Sequence, residues 1–261
     1  MANLIKMDMR RLFHSKMFYI SLGIVAALNV ILMTIIPLFT KFFAVMQDVK
    51  ITTLSEIIVE PFAISWMIIL MFISMVSFSY ADIANGFIKN IAGQIPRKSD
   101  TIVSKFIVVG IHNCVFILVA AVTMMIGQFL GSIFGTYQIV VDSQVGFAIL
   151  TLLVKWMLSM AISSILLFLT TGVRNKTLAS IVGVILGTGT MGLVYLGLNT
   201  AVNSIFKTSG FNLSLIMPDA LIQTVNVGAN TGVINAVIAS IVCAAIFLAL
   251  TIKVFNTRDI K

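Results

Sequence analysis

Charge is what this chain has least of. Asp, Glu, Lys and Arg make up 10% of its 261 residues, against roughly 25% in a soluble domain. With mean hydropathy at +1.11, most of the chain is expected to meet lipid rather than water. Cysteine is nearly absent too. Cys114 and Cys243 sit far apart inside apolar runs, so neither a disulfide framework nor a zinc-ligand spacing has support. The two histidines, His14 and His112, have no HExxH context, and metalloprotease chemistry is unsupported. The dipeptide Gly-Lys never occurs. The P-loop pattern G-x-x-x-x-G-K-[ST] is therefore missing, and the chain does not hydrolyse ATP by that route. Its net charge of +8 reads as basic loops beside a membrane, with no nucleic-acid partner.

Long apolar runs are what is there. A spanning helix takes about 20 mostly apolar residues. Six runs qualify, at about 17–40, 61–82, 106–130, 147–171, 178–198 and 233–255. The expected fold class is an all-α polytopic membrane protein, with residues 1–261 forming a single transmembrane domain. The first run exceeds the roughly 7–15 residues of a signal-peptide core and reads as an uncleaved span. Basic residues set the orientation. Lys6, Arg10, Arg11, Lys16, Lys89, Arg97, Lys98, Lys105, Arg174, Lys176, Lys253, Arg258 and Lys261 fall on one side. Lys41, Lys50 and Lys207 fall on the other. The imbalance predicts cytoplasmic N and C termini. Residues 1–16 read as an amphipathic interfacial helix, with Lys6, Arg10 and His14 on one face and Ile5, Met9, Leu12 and Phe13 on the adjoining one. Residues 199–232 contain FNLSLIMPDALIQTV, too apolar for a free loop and too short to span. They read as an extracellular or re-entrant pair of short helices broken near Pro218.

Polar residues inside the spans are the candidate sites. His112, Asn113 and Cys114 cluster near the cytoplasmic third of span three. They fit either an interhelical hydrogen bond or a pathway-lining position. A serine–histidine dyad for intramembrane proteolysis would need His112 to meet a serine on another span. Lys155 lies eight residues inside span four, about 12 Å at 1.5 Å per residue. It either snorkels to the outer headgroups beside Trp156 or faces an internal pathway. Glycines recur every four residues at Gly127, Gly131 and Gly135, and again at Gly183 and Gly187, followed by Gly189 and Gly192. That spacing lets helix backbones approach. Gly183 and Gly187 mark span five as a subunit interface or a flexible span.

Between spans two and three lies a basic loop, 83–105, containing ANGFIKNIAGQIPRKSDTIVSK. Taken with LIKMDMRRLFHSKMFYI at the start and FNTRDIK at the end, it resembles ABC-2-type permeases. Among these it is most similar to the small permeases of bacterial bacitracin and lantibiotic immunity and export systems. The resemblance covers nearly the whole chain and implies a multi-pass protein of the bacterial plasma membrane. It implies two permease subunits, identical or homologous, driven by a separate ABC ATPase subunit dimer. This chain would bind no cofactor, with ATP and Mg on the partner. The loop would be a coupling helix docked on the ATPase through Asn85, Gly86, Phe87, Ile88, Lys89, Asn90, Ile91 and Arg97. Membrane lipid is the remaining partner. The implied cargo is an amphipathic peptide or a hydrophobic compound. Two alternatives stand beside this reading: an intramembrane enzyme, protease or lipid-modifying, and a secondary transporter. The transporter would want buried carboxylates, and only Asp82 is near a span end.

Overall fold

The computed structural model describes residues 1–43, 50–62, 65–86, 98–206, 212–230 and 232–257. Helices α1 (Ala2–Phe13) and α2 (Lys16–Phe42) open the chain, separated by a break at His14 and Ser15. Strand β1 (Lys50–Thr53) leads into α3 (Leu54–Val59) and a 3₁₀ turn at Glu60–Phe62. Then come α4 (Ser65–Ala84), α5 (Lys98–Ile133), β2 (Tyr137–Val140) and α6 (Val145–Leu167). Helix α6 runs into a π-helical turn, Phe168–Gly172. Two helices, α7 (Lys176–Thr188) and α8 (Met191–Phe206), follow, and then a 3₁₀ turn at Leu213–Leu215. Short α9 (Pro218–Thr224) and long α10 (Val233–Thr257) are the last of the described elements.

Five of these helices are long and apolar enough to cross a membrane: α2, α4, α5, α6 and α10. The chain is an all-α polytopic membrane protein. Helices α4, α5 and α6 form the interior, with about half or more of their most apolar stretches buried, against 11% for α2 and 17% for α10. The outer faces of α2 and α10 carry Ile20, Ile24, Ile31, Ile238 and Ile241, all exposed. Lipid is the solvent that such faces fit.

Span five departs from the straight 178–198 helix that hydropathy predicts. Helix α7 stops at Thr188, capped by Gly189 in the left-handed region at φ 69°. Helix α8 leaves at 75° to it. Among the described residues, the spans number six only if the bent pair counts as one. Thirteen residues of α7 reach about 20 Å, short of the roughly 30 Å hydrocarbon layer.

The small outer elements have local causes. Thr53 caps α3 by accepting from the Glu56 amide, and the Glu56 carboxylate accepts from the Thr53 amide in return. Strands β1 and β2 pair in parallel, Lys50 opposite Tyr137 through Thr53 opposite Val140. Hydropathy gave no sign of this two-stranded sheet. It ties the connection after α2 to the one after α5.

Helices α2 and α5 run side by side in the same direction. Asn29 Nδ2 donates to Ala120 O (3.2 Å) and Lys41 Nζ to Gly135 O (2.8 Å). Gly127 makes this approach possible, since a Cβ there would lie 2.9 Å from Met33 Cβ. Helix α10 likewise runs with α6. The Val227 amide just before it donates to Thr151 Oγ1 (3.0 Å), Cys243 meets Ala161 O, and Phe247 meets Phe168. The chain therefore leaves α6 at one end of the bundle, returns through α7 to the other, and comes back along α10.

Candidate functional site

At the end of the bundle where α1 lies, four charges are gathered. Asp8 of α1 and Asp82 of α4 are each 2% exposed, and Lys105 of α5 is fully buried. Lys105 Nζ lies 2.6 Å from Asp82 Oδ2 and donates to Ser79 O (3.1 Å). Arg11 of α1 bonds the other Asp82 oxygen, Oδ1, and lies 3.5 Å from Asp8. Ser104 Oγ donates to Asp8 Oδ2 (2.7 Å). Burial pulls the Arg11 guanidinium below its ordinary value, and Asp8 opposes the shift. Two acids and two bases cancel, which is the condition for burying charge at all. The predicted apolar face of α1 is present, but it beds on protein: Leu12 is fully buried, and Ile5 and Met9 pack on the core. Lys6, Arg10 and His14 stay exposed.

This cluster brackets the basic loop. Gly86, at φ 63°, closes α4 with its amide on Ile83 O (3.2 Å), beside Asn85, whose amide bonds Ala81 O. Both residues are exposed or half-buried at the end of α4. Phe87, Ile88, Lys89, Asn90, Ile91 and Arg97 lie outside the described residues. Lys105 is displaced from the role that sequence gave it. Helix α5 begins at Lys98, so Lys105 is a buried helical residue and not a loop cation.

Deeper in, a neutral polar layer joins the helices. His112 and Asn113 are both fully buried. His112 Nε2 is 3.1 Å from Ser74 Oγ of α4, and its Nδ1 is 3.0 Å from Asn113 Oδ1. Asn113 Nδ2 donates to Ser163 Oγ (2.9 Å) and Ser159 Oγ (3.2 Å) of α6. Phe116 and Phe18 pack on the imidazole. Two of the three arrangements weighed from sequence thus have a geometry, an interhelical hydrogen-bond layer and a serine–histidine contact across two spans; with both side chains fully buried, His112 and Asn113 line no open pathway in this conformation. Cys114, the third member of the sequence cluster, turns outward and is exposed.

At the opposite end, β1, α3, the 142–148 region and the 223–228 turn enclose a cavity of about 890 Å³. Lys155 reaches it from α6 while only 2% exposed, its Nζ 5.1 Å from the Phe62 ring centroid. It points into this cavity and is not exposed on the surface of the bundle. Trp156, proposed as its interfacial companion, instead donates to Gly110 O (3.0 Å) inside the bundle. Lys50, Glu56, Glu60 and Asp142 line the same space. Glu60 accepts from Gln128 Nε2 (2.5 Å), and burial raises its carboxyl above the ordinary range. Asp142 accepts from Ser55 Oγ (2.6 Å) and from the Ser55 amide (3.2 Å), which hold it below that range.

Gly183 and Gly187 both face α4 of the same chain. A Cβ on Gly183 would lie 3.4 Å from Phe72 Cβ, and one on Gly187 3.1 Å from Ile69 Cγ1 and 3.3 Å from the Ile69 Cα. Gly187 permits a close intramolecular approach, while Gly183 sits at ordinary contact distance.

Sequence reasoning missed Asp8, Thr52, Glu60 and Gln128. Asp8 had a readable signal, since it stands three residues after Ile5 and four before Leu12 on the apolar stripe. The other three follow from parts of the chain distant in sequence. Among the described residues, no three His, Cys, Asp or Glu side chains are placed to hold a metal ion. Compared with protein-family models, curated proteins and solved structures, the chain matches none.

Proposed function

We propose that the chain is the membrane-spanning permease subunit of an ATP-binding-cassette exporter of the bacterial plasma membrane, with cytoplasmic termini. A separate ATPase subunit dimer would bind ATP and Mg, and two permease subunits would form the pathway for amphipathic peptides or hydrophobic compounds. The observation that carries this reading is the ionic cluster around the basic loop. A segment that transmits a push must be fixed at both ends, or it bends. The residues just before and after it, on α4 and α5, are locked to each other by Asp82 and Lys105 and to α1 by Arg11. ATP would shift the permease only by binding one conformation better than another. The basic side of the chain, which sets cytoplasmic termini, is the side of this loop. The bent α7–α8 pair and the short helices before α10 accord with the re-entrant segment of the family that the sequence resembles.

The test is purification in mild detergent from native membranes. Expected is a co-purifying cassette ATPase whose ATP turnover falls with Phe87→Asp and Ile91→Asp. If no ATPase accompanies the chain, and transport survives both substitutions, the reading is wrong.

A second reading has one observation behind it. Ser74, His112 and Asn113 stand in the order nucleophile, base and orienting group. Against it, Ser74 is 2% exposed and His112 fully buried, so no substrate reaches them in this conformation. Ser74→Ala would abolish any peptide hydrolysis by the purified chain if this reading held, and would leave transport intact under the first.

A further inference from the structure

We infer that the cavity at the β1–β2 end binds a zwitterionic ligand. Its compact oxyanion, a phosphate or carboxylate, would sit between Lys155 Nζ and Thr52 Oγ1, and its cation would meet the acidic wall.

Two buried polar groups line this cavity without an oxygen or nitrogen partner among the described residues. Lys155 is 2% exposed. Among the described residues its ammonium has the face of Phe62 at 5.1 Å and no carboxylate at ion-pair distance. A buried ammonium held only by an aromatic face remains poorly satisfied. Thr52 is 3% exposed, and its hydroxyl has no hydrogen-bond partner among the described residues. Both line the same space of about 890 Å³, within the range of small-ligand sites. An oxyanion accepts from an ammonium and a hydroxyl together, and such charge-assisted bonds are the strong ones.

The rest of the lining selects the other half of the ligand. Glu56, Glu60 and Asp142 line this space together with Lys50 and Lys155, three carboxylates and two ammonium groups. Those carboxylates are held by amides and hydroxyls: Glu60 by Gln128, Asp142 by Ser55 and Glu56 by the Thr53 amide. A simple anion would meet this wall unfavourably. A ligand with an ammonium next to its oxyanion meets both ends favourably. Phosphoethanolamine is the smallest probe of this chemistry, and it occurs free or as a lipid headgroup. The site stands whether or not an ATPase drives the chain.

The test uses the full chain in dodecyl maltoside micelles, which carry no zwitterionic headgroup. Phosphoethanolamine is titrated in by calorimetry, with inorganic phosphate as the comparison. In parallel, native mass spectrometry scores retention of phosphatidylethanolamine against phosphatidylglycerol. Expected is binding of the zwitterion, weakened about tenfold or more by Lys155→Met, the scale of one charge-assisted hydrogen bond. Lys155→Arg should keep most of the affinity. Thr52→Val should give a smaller loss and serves where Lys155→Met does not fold, as read by unfolding without ligand. Binding in the soluble arm alone identifies a free ligand, and in the lipid arm alone a headgroup. The inference is overturned if the wild-type chain binds neither probe, if folded variants bind as wild type, or if phosphate and phosphatidylglycerol bind as tightly as the zwitterions.

Discussion

Lys105 and Asp82 meet at 2.6 Å across α5 and α4, each almost completely buried. Removing one partner leaves the other charge buried and uncompensated. Asp82→Asn alone or Lys105→Met alone should cost about 3–5 kcal/mol, whereas the double variant should cost clearly less than their sum. Denaturant unfolding in detergent, run as a double-mutant cycle, reads the coupling. Additive losses would mean that the two side chains do not act on each other.

The second expectation concerns α1. Its hold on the bundle runs through Asp8 to Ser104 and through Arg11 to Asp82. Arg11→Ala should raise amide hydrogen exchange across residues 2–13 and at the adjoining end of α5, with α10 unchanged. A helix held by lipid alone would show no such change when Asp8 and Arg11 are neutralised.

Glycine substitutions should separate packing from propensity. A Cβ at Gly187 meets the Ile69 backbone at 3.3 Å, so Gly187→Val should destabilise by about 1–3 kcal/mol. Gly183→Ala meets ordinary contact distances and should be milder. Gly197 has open space within 4 Å, and Gly197→Ala should stabilise α8 by about 0.5–1 kcal/mol. Thermal unfolding of the three variants in one detergent ranks them.

Burial raises the carboxyls of Glu60 and Asp219, the latter opposed by the hydrogen bond from Tyr195. A raised folded value means that the native state holds its proton longer than the unfolded chain does. Stability from these two groups is therefore full below the ordinary carboxylate range and is lost as pH rises through the raised values. Asp142, held low, acts oppositely: its contribution is present above the ordinary range and is lost as pH falls through the depressed value. Unfolding midpoints measured upward from about pH 4 should fall less steeply in Glu60→Gln, which keeps an acceptor for Gln128. An unchanged slope would exclude Glu60 as a source.

Topology has a direct check. Since α10 runs with α6 and α2 with α5, the two chain ends belong to one end of the bundle. In a Cys114→Ser, Cys243→Ser background, cysteines at Asn3 and Thr257 should react with an impermeant maleimide from the same side, and one at Ser143 from the other. Labelling of Asn3 and Thr257 from opposite sides would mean that the α7–α8 pair does not return the chain across the membrane.

Sequence alone determined the class of this protein. Unbroken apolar runs of about 20 residues have no stable solution in water, and hydrogen bonding within lipid leaves only the helix for such a chain. The apolar stripe of α1 was readable in the same way, because helix periodicity is a local property. What each buried charge does was decided by tertiary structure. Lys105 and Lys155 carry the same side chain in similarly apolar surroundings. One finds Asp82 and Ser79, and the other faces a cavity. Hydropathy sums over neighbours in the chain and cannot distinguish them. The bend at Gly189 is of the same kind, since a glycine-rich run permits a straight span or a 75° break. The packing of α7 on Ile69 and Phe72 of α4 goes with the break.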